Sequence, residues 1–218
     1  ATVHGWLEDA NVLLIGFLDG VTYEDDSFQV PGAIPRVADA VRRLHEGPRF
    51  VNEFDMFDIQ AGYQAKCVER GWWMPEGYLA LNEHLPSMRA ALDVRAEPTV
   101  PCNNDLLAGN FIDDGTRIWL IDYEYSGNND ACFELGNIWS ENHLSLEQLD
   151  ELVEAYWGRP RPAKVARARL LGLMSQYGWT LWASIQDATS TIDFDFRTWG
   201  LEKFDRAAAT FGSPEFEG

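Results

Sequence analysis

Residues 101–126, PCNNDLLAGNFIDDGTRIWLIDYEYS, set Asp105 and Asn110 five positions apart and then turn back to a second acid, Asp122. Asp114-Gly115 between alternating apolar residues marks a tight turn, so residues 110–113 and 117–121 are expected as paired strands. A hairpin brings its ends together, which places Asn110 beside Asp122 with Asp105 on the loop leading in. One carboxylate is then free to act as a base next to an amide–carboxylate pair suited to Mg²⁺. Phosphoryl transfer to a hydroxyl needs that set: an acid that takes the hydroxyl proton, and oxygen ligands for the metal that neutralises the phosphates. Turn-forming Asp and Asn on a surface hairpin would look similar. The Ile121-Asp122 pair at the end of the returning strand argues for the chemistry.

The elements around this loop read as mainly helical. Residues 12–17 (VLLIGF) are expected as a buried strand broken by Leu18-Asp19-Gly20. A helix should follow Pro31-Gly32, with Pro35 near its first turn and Val37, Val41 and Leu44 on one face. Further helices are expected over 59–69, over 78–92 with a bend at Pro86, and over 130–142. Ser145 with Gln148 forms a capping box for a helix striped by Leu146, Leu149, Val153 and Tyr156. After the break at residues 159–162 come a long helix over 163–186 and a last one over 197–209. The fold class is therefore α+β, mainly helical, with a small β-hairpin at the catalytic loop.

A chain of 218 residues is long enough for one substantial core. Its formal charge of −18 argues against nucleic acid, which demands a basic footprint; plain solubility is the simpler reading of that charge, which supports a cationic ligand only weakly. No apolar run has the length of a membrane span, and no secretory signal pattern is present. Three cysteines without metal-type spacing argue against a disulfide framework, so a reduced cytoplasm is the simplest home.

On the long helix, Leu171, Met174, Gly178, Leu181 and Ile185 make an apolar face, and Trp179 and Trp182 stand to one side with Ser175 and Gln186. A Trp pair at helical spacing is ordinarily core; flanked by polar residues it also fits the wall of a cleft. Phe196 and Trp199 follow on the next segment, Tyr125 lies beside the hairpin, and Glu124, Glu134 and Glu141 add negative charge nearby in sequence. Aromatic faces with carboxylates can hold a quaternary ammonium, and choline recognition is the established example of that principle.

CNND, LLAGN, IDYEYS, FELGNIWSE, WTLWASIQ and DFDFRTWGLEKF, in that order, resemble the successive signatures of the choline/ethanolamine kinase family. That family belongs to the aminoglycoside-phosphotransferase group with a protein-kinase-like fold. The resemblance implies ATP and Mg²⁺ as cofactors and choline as the small cationic substrate, with no nucleic acid or membrane partner. It implies Asp105 as the base, Asn110 and Asp122 as Mg²⁺ ligands, and Tyr125, Trp179, Trp182 and Trp199 as the choline pocket, aided by Glu124 and Glu141. Adenine would meet the hinge backbone near Phe17 and Leu18.

Two departures stand out. The family usually has CHND, where this chain has Asn103 as the second residue of the motif. No Gly-rich phosphate loop precedes the expected hinge, and the first Lys is Lys66. The expectation is therefore the large C-terminal lobe of a kinase with its small lobe missing. In that division residues 1–20 end the small lobe and hinge, 21–211 form the large lobe, and 212–218 a disordered tail. Three alternatives share parts of this pattern: an ethanolamine kinase, an aminoglycoside or other small-molecule kinase, and a non-catalytic choline-binding module or pseudokinase.

Overall fold

The computed structural model describes residues 1–213 and 216. Strands β1 (Val3–Leu7) and β2 (Val12–Ile15) form an antiparallel two-stranded ribbon. Short β3 (Val21–Thr22) leads through a 3₁₀ turn to helices α1 (Ala33–His45), α2 (Met56–Arg70) and α3 (Leu85–Asp93). Four strands follow: β4 (Thr99–Cys102), β5 (Phe111–Asp113), β6 (Ile118–Leu120) and β7 (Gly127–Asp130). The chain then runs through α4 (Ala131–Glu141), α5 (Leu146–Trp157), α6 (Pro162–Thr189) and α7 (Phe196–Phe211). The architecture is the expected mainly helical α+β. Besides the ribbon, the strands form a three-stranded sheet ordered β3-β5-β6 and a β4-β7 pair.

Local sequence explains most element ends. Ser145 and Gln148 make both halves of the capping box at the start of α5. Asp55, Asp130 and Asp195 cap α2, α4 and α7 through their carboxylates. The expected bend at Pro86 is a change of helix type: a 3₁₀ helix covers Tyr78–His84, and Pro86 sits in the first turn of α3, where its missing N–H costs nothing.

The long α6 is the central post, packed by α2, α4 and α7. It meets α4 at a glycine pair. A Cβ on Gly172 would stand 2.6 Å from the Gly136 carbonyl oxygen, and one on Gly136 would strike the Ala168 carbonyl. Only bare backbone permits that crossing, and it brings α4 close beneath the loop that follows β4. From Leu171 to Leu181 every residue of α6 is buried, so the one-sided apolar face read from the sequence is incorrect there. Helices pack around it on several sides, and small or hydrogen-bonded polar residues such as Ser175 and Thr180 fill positions that periodicity assigned to solvent.

The strand expected to be buried at 12–17 is a second correction. β2 pairs with β1 alone, and its residues are exposed along its length, as is most of β1. Phe17 is 92% exposed and Leu18 partly buried. A two-stranded ribbon without a helix layer has no core to turn its apolar side chains into. At the other end, Phe216 packs edge-on against His84 and Phe211, while 214, 215, 217 and 218 of the expected tail lie outside the described residues. Among the described residues, no helix is long and apolar enough to cross a membrane.

Candidate active site

The loop after β4 is fastened from below. Glu134 on α4 is fully buried, and its two oxygens accept from the backbone N–H groups of Asn103 (3.0 Å) and Asn104 (2.7 Å). His45 Nε2 stands 3.6 Å from the same carboxylate and 3.5 Å from Cys102 Sγ. Glu134, grouped by sequence with the acids near the pocket, is thus spent inside the fold. Asn104 takes a left-handed conformation at φ 71, which Asn tolerates better than most residues, and donates to the Tyr125 carbonyl at 3.0 Å.

Asn103, which replaces the usual His, is completely buried and makes three bonds. Its Nδ2 donates to the carbonyls of Ile121 (3.0 Å) and Asp122 (2.8 Å), and its Oδ1 accepts from the Asp105 N–H at 3.0 Å. One amide therefore ties the Asp105 loop to the end of the hairpin, where Asp122 sits at φ 57. The Asn103 side chain thus links the two acidic positions.

The hairpin forms where expected, with Asp113 opposite Ile118. Its loop is longer than the two-residue Asp-Gly turn: residues 114–117 turn together, because Asp114 Oδ1 accepts from the N–H groups of Thr116 and Arg117. Asn110 falls in a 3₁₀ turn just before β5, and its carbonyl accepts the Ile121 N–H at 3.0 Å, so Asn110 and Asp122 are brought together. Asn110 Nδ2 donates to the Asp105 carbonyl at 2.7 Å, which leaves its Oδ1 as the group to offer a ligand. Asp122 is exposed, and among the described residues neither it nor Asp105 has an ion-pair partner. An amide oxygen and a free carboxylate are hard donors, and they fit Mg²⁺, which takes few protein oxygens and completes its shell with water and phosphate.

Asp105 is largely buried, and its pKa is pushed up to about 7. Burial is the main cause; the charges of Glu141, Asp122 and Glu124 add to it, and Lys203 opposes them. A carboxylate poised near neutrality is matched to removing a proton from an alcohol at that pH.

The aromatic groups gather in two layers. Trp182 Nε1 donates to the Tyr125 hydroxyl at 2.7 Å, and its ring lies edge-on to Trp199 (5.5 Å between centroids) and Phe196 (5.8 Å). Trp179 packs edge-on against Tyr125 at 5.0 Å and Trp182 at 6.2 Å, but it is only 3% exposed. It lies behind the exposed side of the cluster, because the helix face it occupies is covered. Glu124 is exposed, with its charge felt at Asp105 and Tyr125. Glu141 is buried and pairs with Lys203 at 2.5 Å. Phe17 and Leu18 lie on the segment between β2 and β3.

Two neighbours went unnoticed in sequence. Burial raises the phenol of Tyr63 on α2, and the charges of Tyr125, Asp105 and Glu124 add to the shift. Lys203 on α7 reaches Glu141 across 62 residues of sequence. A Tyr within a polar helix and a Lys near a chain end carry no local signal of such placement.

A family model described as choline/ethanolamine kinase matches residues 11–151. Ethanolamine kinase 2 of Rattus norvegicus is 32% identical over 147 residues, which cover 58% of this chain and 38% of that protein. The chain thus spans well under half the length of that relative. The crystal structure of a choline/ethanolamine kinase family protein from Mesorhizobium loti superposes with a TM-score of 0.91 at 31% identity, covering 99% of this chain and 75% of that one. Choline kinase LicA from Streptococcus pneumoniae shares the fold, with a TM-score of 0.78 at 19% identity over 96% of this chain and 73% of its own. With the loop, hairpin and aromatic cluster in place, the chain belongs to the choline/ethanolamine kinase family.

Proposed function

We propose that the protein carrying this chain transfers the γ-phosphate of ATP to the hydroxyl of choline, giving phosphocholine. The observation that carries this reading is the adjacency of two features: a buried acid poised near neutral pH, and an aromatic cluster of Tyr125, Trp182 and Trp199. The charge of Glu141 is felt at Asp105, and the Lys203 ammonium that pairs with Glu141 lies over Trp199, which links the two features. A trimethylammonium held on aromatic faces by cation–π attraction would leave the hydroxyl end of choline to Asp105. Asp105 accepts the hydroxyl proton, and its backbone carbonyl holds the Asn110 amide so that Oδ1 stays available. Asn110 and Asp122 would hold Mg²⁺, which when bound supplies neutralisation of the phosphate charge. The segment at Phe17 and Leu18 is the proposed adenine contact.

Ethanolamine is the second reading. Glu141 Oε1 is buried without a hydrogen-bond partner among the described residues, an acceptor a primary ammonium could use, and the rat relative is named for that substrate. The experiment that separates them is kcat/KM for both alcohols with ATP and Mg²⁺. Preference for choline supports the first reading; a several-fold preference for ethanolamine overturns it. An aminoglycoside phosphorylated in preference to both would replace them with the broader small-molecule kinase.

A further inference from the structure

The side chain of Lys203 occupies a position of the kind a substrate cation would seek. Its ammonium lies 2.5 Å from Glu141 Oε2 and 4.1 Å over the Trp199 ring. The side chains of Lys203 and Glu141 are 2% and 6% exposed. A lysine four residues after Trp199 on a surface helix would ordinarily extend its ammonium to water; here it turns inward, and two charges leave solvent at considerable cost. Among the charges that act most on Asp105 (Glu141, Asp122, Lys203 and Glu124), Lys203 alone is positive. Glu141 keeps its second oxygen, Oε1, buried and unpartnered.

We infer that Lys203 sets the cation preference of the site: by holding one oxygen of Glu141, it weakens the hold on a primary ammonium relative to a trimethylammonium. This inference rests on the substrate reading above. A primary ammonium is recognised chiefly through carboxylate and carbonyl acceptors, and a quaternary one through aromatic faces, since it has no N–H to donate. The Lys203 charge repels both alike. Its hold on Glu141 penalises only the ligand that needs that carboxylate. Tyr125 and Trp182, joined by their own hydrogen bond, remain for the methyl groups. Lys203 is therefore a specificity-determining residue placed by tertiary structure against the site.

The test titrates wild type and Lys203→Met with choline and with ethanolamine, following tryptophan fluorescence, with circular dichroism to establish folding. The expected result is a change in the choline-to-ethanolamine affinity ratio of about tenfold in favour of ethanolamine, the scale of one charge-assisted hydrogen bond. Lys203→Arg, which keeps the ion pair, should leave the ratio as in wild type. If Lys203→Met does not fold because Glu141 is left buried and unpaired, Lys203→Ala decides by the same ratio, its small side chain releasing Glu141 and leaving room for water to solvate it. A ratio within twofold of wild type, or one shifted toward choline, overturns the inference while leaving the substrate reading intact. Failure of every protein to bind either alcohol overturns both.

Discussion

Replacing Asp105 by Asn should make the protein more stable, and by an amount that depends on pH. The Asp105 carboxyl is raised from 3.8 to about 7 by burial and by the negative charges of Glu141, Asp122 and Glu124. A group raised on folding binds its proton more tightly in the folded state. Its stabilising contribution is therefore full below the unfolded value of 3.8 and is lost as pH rises through about 7. At pH 8 the folded protein carries an ionised, partly desolvated Asp105, at a cost of up to about 4 kcal/mol from a shift of roughly three pKa steps at 1.36 kcal/mol each. At pH 5 the folded protein keeps the proton that the unfolded chain has mostly released, and the same linkage leaves a cost of about 1.5 kcal/mol. Asn is isosteric and uncharged, so D105N removes the cost at both values. For a domain of this size each kcal/mol moves Tm by about 2–4 °C. The gain in Tm of D105N over wild type, measured calorimetrically with EDTA present, should be larger at pH 8 than at pH 5 by about 5–10 °C. An equal gain at both pH values, or a loss at pH 8, would refute the claim that Asp105 is a destabilising buried charge.

Other consequences are more local. Asn103→Ala removes three hydrogen bonds that join Asp105 to the hairpin end; it should cost about 2–4 kcal/mol in urea unfolding and lower kcat more than it raises KM. Trp182→Ala deletes the ring bonded to Tyr125, and the KM for choline should rise at least about tenfold, whereas Trp182→Phe, which keeps an aromatic face, should recover part of that. Gly136→Ala forces a methyl group into the α4–α6 crossing and should destabilise by about 3 kcal/mol, the scale of core overpacking. Mg²⁺ should raise the Tm of wild type and leave Asp122→Ala unchanged, and an equal shift in both would remove Asp122 from the metal site.

Much of the site was legible because its signals are local. The Asp105–Asn110–Asp122 spacing, the Asp114-Gly115 turn and the Ser145–Gln148 capping box each operate within a short stretch of chain, where local geometry decides the outcome. What escaped was set by packing between distant segments. Trp179 looked like a cleft wall because periodicity shows only which helix face a residue shares, and the face beside Leu171 and Met174 turned out to be covered as well. The apolar run at 12–15 looked buried, but burial needs a partner layer, and β2 has only β1 beside it. Glu134 and Glu141 are seven residues apart, and both were counted among the acids near the aromatic groups; one anchors backbone amides and the other meets Lys203, a difference made by β4 and α7. Asn103 shows the reverse. It was marked as a departure from the usual motif, and its three bonds show how a different side chain keeps the same loop in place.

The most direct test of the account is ³¹P NMR of the protein carrying this chain, incubated with ATP, Mg²⁺ and choline, beside its D105N variant. The account predicts that phosphocholine accumulates with wild type and that the stably folded variant forms it at least about a hundredfold more slowly, the scale of lost general-base catalysis. Phosphocholine formed equally by both proteins, or by neither, would contradict it.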